Sequence, residues 1–317
     1  MTPLAPGLGF VDLNFLGRPR AIATGVVSGA GEVALVDPGP ATCLERLEEG
    51  LHARGIRLAD VTHLLLTHIH LDHAGATGTI VKRHPGITVL VHERGATHLV
   101  APQKLLESAT RLYGADMSRL WGEFLAVPEP RVRALRGGER VEVAGRRFEV
   151  AYTPGHAAHH VSYFDPASGV AFVGDTAGIS IGGGYVLPPT PPPDIDIEAW
   201  TASAARIEAW GAATLFLTHF GPSPRPPAAH LQALLDNLHT MSAFARATLA
   251  DAGSDEDRRN RFAEHVRTEL RREMTDAQLA SYGVAAPFDM LWLGLARYWR
   301  KRADVQTEPR TRNPERR

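Results

Sequence analysis

Short apolar runs, separated by glycine, proline or polar residues, dominate the first two thirds of the chain. Runs of this length and spacing are typical of strands. Val61–Leu66 is continuously apolar apart from two positions, which favours a strand buried on both faces. Ala21–Ser28 and Glu32–Val36 flank Gly29-Ala30-Gly31, a sequence typical of a hairpin turn. Further strands are predicted at Thr88–Val91, Val141–Val150 (a hairpin around Gly145), Val161–Phe164, Val170–Val173 and Thr214–Leu217, with helices at Leu44–Ala53 and Ala74–Arg83.

After residue 225 the apolar spacing becomes helical. Ser254 followed by Asp255-Glu256-Asp257 is typical of a helix start, because a capping hydroxyl and acidic residues favour the first turn. The predicted helices are His230–Leu249, Ser254–Arg272, Thr275–Ser281 and Phe288–Arg302. The pattern therefore divides the chain into a mixed region, 1–225, and a helical region, 226–302. A charged tail with prolines, 303–317, is predicted to be disordered.

Two segments have open interpretations. The glycine- and proline-rich stretch 182–193 is either a surface connector or a loop that shapes a substrate pocket. The last predicted helix carries an apolar face with aromatic residues: Met290, Leu291, Trp292, Leu295, Tyr298 and Trp299. Packing of this face on the core or on a second subunit is favoured over an aromatic wall for an apolar acyl or aryl group. A homodimer is therefore left open.

Composition narrows the class of protein. The 317 residues carry 34 basic and 35 acidic side chains, a formal net charge of −1, so no nucleic-acid or anionic-membrane partner is expected. Phe288–Trp299, the most apolar late segment, is too short for a membrane span. With one cysteine, Cys43, and no signal-like N-terminus, a cytoplasmic location is predicted.

Histidine and aspartate residues cluster directly after the continuous apolar strand. Residues 67–73 read Thr-His-Ile-His-Leu-Asp-His, between that strand and a predicted helix. Imidazole and carboxylate groups are ligands that suit Zn²⁺. Residues two apart in a loop can point the same way, so His68 and His70 can share one ion, while Asp72 and His73 can serve a second. A solvent-exposed polar turn would explain one or two of these residues, but not all of them.

Three later strand ends each add one residue of the same kind. His156 follows the second predicted hairpin, Asp175 follows Val170–Val173, and His219 follows Thr214–Leu217. In α/β folds, ligand-binding residues gather beyond the carboxyl ends of strands. A single such residue would be a weak sign, but several strand ends that supply compatible ligands indicate a metal site.

Together with Val36-Asp37-Pro38-Gly39, these motifs resemble the metallo-β-lactamase superfamily in its glyoxalase II-like branch. The resemblance covers about residues 10–225. It implies an α/β (α+β) fold, a four-layer αββα sandwich, with 1–225 as the catalytic domain and 226–302 as a helical extension that caps the substrate or forms a dimer contact. It also implies the metal ligands: His68, His70 and His156 on one ion, Asp72, His73 and His219 on the other, and Asp175 bridging both.

Other residues around this ligand set receive more limited interpretations. Asp37 resembles the family's aspartate that orients a ligating imidazole from behind, although a turn-forming Asp-Pro-Gly fits the spacing equally well. His160 matches a family histidine beside the site. His159 is additional: it can reach the pocket, but a solvated position is favoured for it. Lactone-cleaving relatives use a tyrosine near the metals, so Tyr185, on the loop after Asp175, is a candidate for substrate binding.

The implied cofactors are two Zn²⁺ ions per chain, with iron or manganese as alternatives. Two such ions about 3.5–4 Å apart can share a hydroxide and lower the pKa of its parent water towards about 7. We expect that hydroxide to attack the carbonyl of a small-molecule carboxylic ester, thioester or lactone, with Asp72 as the catalytic residue that helps to orient it. No catalytic role is then needed for Cys43.

Two other reactions remain open on the same site. Phosphodiester or phosphotriester hydrolysis can use the same nucleophile, and an iron-dependent persulfide dioxygenase is a further alternative. Residues 176–185 lack the arginine that glyoxalase II and persulfide dioxygenases have after the bridging aspartate, so specific hydrolysis of lactoylglutathione is not expected. His70 stands where a diiron flavoprotein relative has glutamate, which argues against electron transfer.

Overall fold

The structure, a computed structural model, describes residues 1–182 and 184–307. Its strands are β1 (Thr2–Ala5), β2 (Leu8–Asp12), β3 (Ala23–Gly29), β4 (Glu32–Val36), β5 (Val61–Leu65), β6 (Thr88–His92), β7 (Val132–Leu135), β8 (Arg140–Val143), β9 (Arg146–Tyr152), β10 (Val161–Asp165), β11 (Val170–Phe172), β12 (Thr214–Leu217) and β13 (Gly221–Pro222). Its helices are α1 (Leu44–His52), α2 (Leu71–Ala74), α3 (Thr77–Arg83), α4 (Glu93–Val100), α5 (Gln103–Tyr113), α6 (Met117–Trp121), α7 (Ile197–Glu208), α8 (Pro227–Leu249), α9 (Asp255–Arg271), α10 (Asp276–Ala285) and α11 (Phe288–Thr307).

These strands form two sheets in the described part of the chain. The first has seven strands in the order β1 to β7, antiparallel from β1 to β4 and parallel from β4 to β7. The second has six strands in the order β13-β12-β11-β10-β9-β8, with β11 and β12 parallel. The predicted strands and both predicted hairpins are confirmed by this topology.

The two sheets face each other across an apolar core. Alternate residues of the strands point into it, including Val36 and Leu65 from the first sheet and Phe148, Phe172 and Phe216 from the second. Helices cover the outer faces. One cluster packs α1, α3 and α4 on the first sheet, and another packs α7 on the second. The four-layer αββα sandwich implied by the sequence motifs is confirmed.

A close approach of two loops fixes the position of α2. The pattern predicted one helix from Ala74 to Arg83. In the structure the helical segment begins at Leu71 and is interrupted after Ala74, before α3. Here Ala76 N donates to Gly39 O at 2.8 Å, and a Cβ at Gly75 would lie 2.9 Å from Pro40 Cα. Only glycine permits this contact, which seats the helix that carries Asp72 and His73 against the loop that carries Asp37.

The sequence pattern predicted no element between β6 and β7, yet α4, α5 and α6 lie there. Many of their apolar residues are only partly buried at the rim of the first cluster, for example Ala96, Leu105 and Tyr113. These residues do repeat at helical spacing, so the sequence carried a signal for the helices that the prediction missed. These helices nevertheless form one side of the site described below.

The predicted C-terminal helices are confirmed, and Ser254 caps α9 by accepting a hydrogen bond from Asp257 N. The predicted start of the disordered tail at residue 303 was wrong, because α11 continues to Thr307. Exposed ion pairs on α11, Arg300 with Asp255 and Arg302 with Glu198, accompany this longer helix. The rest of the predicted tail, 308–317, lies outside the described residues.

None of the described helices, taken singly, is both long and apolar enough to cross a bilayer. The last two, Asp276–Ala285 and Phe288–Asp304, meet at 49° and pass the same test when joined.

Candidate metal centre

The loops that follow β5, β9, β11 and β12 meet at one edge of the sandwich. Backbone hydrogen bonds hold them together: Val161 N donates to Thr67 O at 2.8 Å between the two sheets, and Ser180 N donates to His219 O at 2.7 Å between loops that both follow strands of the second sheet. Tyr163 adds a side-chain bond from its hydroxyl to Leu66 O at 2.9 Å. The strand ends that carry the predicted ligands are therefore tied to one another directly.

The first group of side chains consists of His68, His70, His156 and Asp175. One nitrogen or oxygen of each lies within 4.8 Å of the others. His70 Nδ1 is 3.0 Å from His156 Nε2, which in turn is 3.4 Å from Asp175 Oδ2. Atoms that bind one tetrahedral Zn²⁺ at 2.0–2.1 Å are about 3.3 Å apart. The spacing of this group therefore suits one metal ion.

The second group consists of Asp72, His73 and His219. His219 Nε2 is 3.3 Å from Asp72 Oδ2, and His73 Nε2 is 3.8 Å from the same oxygen. The second oxygen of Asp175, Oδ1, lies 3.3 Å from His73 Nε2 and 3.6 Å from His219 Nε2. Asp175 thus turns one oxygen towards each group, as a carboxylate that bridges two ions would.

The hydrogen bonds of the imidazoles leave several of the facing atoms unused. His73, His156 and His219 are bonded through Nδ1, to Asp37 Oδ2, Pro189 O and Ala21 O at 2.7–2.8 Å. Three buried Nε2 atoms in the two groups and Asp175 Oδ1 have no hydrogen-bond partner in the described part of the chain; the nitrogens belong to His68, His73 and His219. Buried polar atoms without partners are rare and costly, so this arrangement fits the binding of cations.

Asp37 lies directly behind the second group. It is fully buried and accepts four hydrogen bonds, from Thr67 N and Oγ1, Thr218 Oγ1 and His73 Nδ1, at 2.7–2.8 Å. It therefore fixes the orientation of the His73 ring and holds the ends of β5 and β12 together. The structure places Asp37 where the family resemblance put it, and its φ of 51° shows a strained backbone at this point.

His160 lies behind the first group. Its ring stacks on His68 at 5.0 Å, and its Nδ1 is 3.0 Å from Thr153 Oγ1. It is fully buried but does not belong to either ligand group. Its place is therefore that of a neighbour that packs against a ligand ring.

Charge differs between the two groups. Burial, together with the neighbouring His73, lowers the pKa of His68 well below its usual value. Burial would also lower the pKa of His73, but the carboxylates of Asp175, Asp72 and Asp37 raise it well above that value. The pKa of His219 is raised in the same way, against burial, by Asp175 and Asp72. The second group thus stabilises positive charge strongly, as its three nearby carboxylates require.

A cavity of about 410 Å³ opens beside the ligand groups, a volume in the range of small-molecule sites. His70, Asp72 and Asp175 form its floor, and α4, α5, the loop after β11 and α11 form its walls. Pro189 and Pro191–Pro193 belong to the lining, so the pocket-shaping interpretation of the 182–193 loop is confirmed for its proline half. Gly183, in the other half, lies outside the described residues.

Two other expectations change at this cavity. Tyr185 is not among its lining residues; it packs on the C-terminal helices, where its carbonyl accepts from the Tyr282 hydroxyl at 2.6 Å. His159 was predicted to be solvated, which was wrong. It lines the cavity, with its ring 5.7 Å from that of His70, and its Nδ1 is buried without a partner among the described residues. Helix α4 covers it, since a Cβ at Gly95 would lie 3.6 Å from His159 Cβ.

The apolar face of α11 packs mainly on its own neighbours, as favoured from the sequence. Trp292 and Leu295 are completely buried, and Trp292 Nε1 donates to Thr248 Oγ1 on α8. The aromatic residues of this face are absent from the cavity lining within the described residues, but Met290 and Leu291 belong to it. Sequence reasoning missed the opposite wall on α5, including Tyr113, although Leu105, Ala109 and Leu112 are spaced as on one face of a helix.

The family model of the metallo-beta-lactamase superfamily matches residues 17–219. The chain belongs to this superfamily. The match spans β3 to β12 and ends at the last predicted ligand, His219, so the resemblance drawn from the motifs is confirmed.

Individual relatives agree with this assignment to the superfamily. A metallo-beta-lactamase fold-containing protein of Sulfurisphaera tokodaii is 31% identical over 183 residues, covering 56% of this chain and 68% of that protein. A hydroxyacylglutathione hydrolase of Legionella pneumophila is 27% identical over 147 residues, 46% of this chain and 43% of the relative. The chain thus matches less than half the length of the latter.

A solved structure extends the agreement in fold to nearly the whole chain. A metallo-beta-lactamase family protein from Thermus thermophilus superposes with a TM-score of 0.71 at 24% identity, covering 95% of each chain. At this identity the likeness concerns the fold alone. Because the coverage reaches beyond residues 17–219, the helical region after β13 shares in that likeness. The superfamily and the ligand groups together indicate a divalent metal centre.

Proposed function

We propose that the chain is a dinuclear zinc-dependent hydrolase of carboxylic esters, thioesters or lactones. The observation that carries the proposal is the arrangement of Asp175, whose two oxygens face two separate groups of ligand-type side chains. Five imidazoles and two carboxylates with no thiolate suit Zn²⁺, while iron and manganese accept the same ligands. A second divalent ion is what distinguishes this arrangement from a mononuclear site.

When bound, such a pair of ions supplies an activated water and a Lewis acid at neutral pH. The side chains of this chain supply the rest. Asp72 borders the cavity and its side chain keeps 18% exposure there, whereas the side chains of His73 and Asp175 are at most 5% exposed. Its carboxylate can therefore accept a hydrogen bond from a water or a substrate proton in the cavity. We propose Asp72 as the catalytic residue on this basis.

The walls of the cavity suit a carbonyl substrate with an apolar acyl group. Apolar side chains of α5 and α11 and the prolines of the 182–193 loop make up most of the apolar part of the lining. An acyl chain or a ring can pack against them out of water. Relatives named hydroxyacylglutathione hydrolase support the thioester branch of the proposal.

A substrate panel tests the proposal. Protein stripped with a chelator and reloaded with zinc is assayed on aryl esters, lactones, glutathione thioesters and bis-aryl phosphates. We expect zinc to restore turnover of at least one carbonyl class, with kcat/KM above that for the phosphates. Turnover of phosphates alone would support the rival hydrolase, and oxygen consumption on persulfides by iron-loaded protein would overturn hydrolysis.

A further inference from the structure

Helix α5 presents two different stripes to the cavity. Leu105, Ala109 and Leu112 repeat at the spacing of one helix face and form an apolar stripe. Beside it, Lys104, Ser108 and Arg111 repeat at the same spacing and form a polar stripe with two cations; these six residues all belong to the cavity lining. The same wall therefore offers apolar contact and positive charge side by side.

The two cations have no partner within the described residues. Lys104 and Arg111 are exposed, and neither takes part in an ion pair or side-chain hydrogen bond there. Outside the two ligand groups, the lining contains a single carboxylate among the described residues, Asp194, whose Oδ2 accepts from Ala158 N at 3.4 Å. Glu107, between the cations on α5, is not part of the lining. The mouth of the cavity thus carries an excess of positive charge.

The opposite wall carries no cation in the described lining. It includes Pro191–Pro193 and the residues Ala286, Met290 and Leu291, with Asp194 at its edge. The apolar part of a ligand can therefore lie along this wall, and away from the ligand groups a negative charge on the ligand has one place where it can be neutralised. That place is the polar stripe of α5.

We propose that the cavity selects amphipathic substrates: an ester or thioester with an apolar acyl chain of several carbons and an anionic group remote from the bond that is cleaved. The acyl chain packs between the apolar stripe of α5 and α11, and Lys104 and Arg111 bind the anionic group. This inference rests on the proposed hydrolase function and names its substrate class. Lys104 and Arg111 are specificity-determining residues in it.

The anionic group has two chemical sources, a carboxylate on the acyl side or phosphate on the leaving-group side. Two matched substrate pairs distinguish them. The 4-nitrophenyl esters of hexanoic acid and of adipic acid, as its monoester, differ by a terminal carboxylate on the acyl side. The hexanoyl thioesters of N-acetylcysteamine and of coenzyme A differ by phosphates on the leaving-group side.

The variant is Lys104→Met with Arg111→Met, in the zinc-loaded full chain. Methionine keeps an unbranched apolar stem and a high helix propensity, so mainly the charge is removed. The matched control is Lys82→Met, which removes a cation on α3 that is not part of the lining. We expect the double variant to raise KM for the anionic member of at least one pair by about three- to thirty-fold, as two partly exposed ion pairs allow. KM for the neutral members, and for both members in the control, should stay within about two-fold.

The pair that responds identifies the source of the anion, and either response supports the inference. Equal KM changes for charged and neutral members, or no preference of the unaltered protein for either charged member, would overturn it. Binding of the uncleaved anilides of hexanoic and adipic acid, measured by calorimetry, provides a readout without turnover. If no ester is hydrolysed but the adipic anilide binds more tightly and loses this advantage in the double variant, the proposed reaction fails and the selectivity stands. The selectivity would be refuted, even if esters are cleaved, by equal binding within both matched pairs. These pairs are the two anilides and the uncleaved analogues of the coenzyme A and N-acetylcysteamine thioesters.

Discussion

The metal centre and the wall of the cavity are built in opposite ways. At the metal centre most imidazoles are buried and fixed from behind, as His73 is by Asp37 and His219 is by Ala21 O. At the wall, α5 presents side chains that are mostly half-buried or exposed, and its two cations make no ion pair in the described structure. This difference indicates that the reaction chemistry depends on a rigid frame, by which we mean the metal ligands and the residues that fix them from behind. Substrate choice depends on the wall, whose side chains few hydrogen bonds hold in place.

The largest effect is expected from the ligands themselves. His70→Ala or Asp175→Ala removes a ligand atom that the buried groups cannot replace, so metal is lost and kcat/KM should fall by about a thousand-fold or more. Metal content and kcat/KM are measured on the same preparations. His52→Ala, an exposed histidine on α1, is the control. Full turnover in both ligand variants would show that catalysis does not require these metal ligands.

A smaller effect is expected at Asp37, which does not bind metal but holds the ligand His73 in place. Asp37→Asn keeps the size of the side chain but replaces an acceptor that His73 and two threonines share. Metal affinity should fall by about ten- to a hundred-fold, as for other partners of ligating histidines. A chelator competition titration measures it, with Asp236→Asn on α8, away from the ligand groups, as the control. An unchanged affinity would show that His73 needs no fixing from behind.

The pH dependence of the metal-stripped protein sharpens the comparison further. Burial lowers the pKa of His68, His159 and His160, so their contribution to stability is lost as pH falls below about 6.5, the value for the unfolded chain. Against burial, carboxylates raise the pKa of His73 and His219, so their contribution is complete below about 6.5 and is lost as pH rises towards the folded values.

The metal-stripped protein should therefore have its highest Tm near pH 6.5. On both sides of this pH its free energy of unfolding should decrease by at most about 1.4 kcal/mol per pH unit for each group. Scanning calorimetry from about pH 5 to 9 measures it. Zinc should flatten the alkaline side, because cations then take the place of protons on the second group. A Tm that rises steadily across this range would contradict the charge distribution described here.

The smallest effect is expected at the wall. Met290→Trp narrows the cavity from the side of α11 without touching a ligand. We expect kcat/KM for decanoyl aryl esters to fall by about three- to ten-fold, which is the effect that a small change in pocket volume typically has. The kcat/KM for acetyl esters should stay unchanged. Parallel losses on both esters would mean that the substitution disturbs the metal centre rather than the wall.

The sequence predicted the frame much better than the wall, and the reason is physical. The ligands stand at strand ends, and strands such as Val61–Leu65 are recognisable by a short run of mostly apolar and β-branched residues. The spacing of residues 68–73 is imposed by the metal chemistry itself, so it can be recognised without a structure. His70, Asp175 and His219 could therefore be brought together from their places after strands alone.

The place of the wall depends on tertiary contacts. The apolar residues of α5 are spaced as on one face of a helix, but only Ala109 is buried, and the position of α5 over the cavity follows from packing. His159 could be recognised as a cavity residue only after α4 was in place. The position of Tyr185 away from the cavity likewise follows from its packing on the C-terminal helices, which the order of residues along the loop does not reveal.

Diffraction at the zinc absorption edge from crystals of the zinc-loaded protein shows directly whether the two groups each bind an ion. We expect two anomalous peaks about 3.5–4 Å apart, one among His68, His70 and His156, the other among Asp72, His73 and His219, with Asp175 between them. A single peak, or none, at this edge of the sandwich would contradict this expectation.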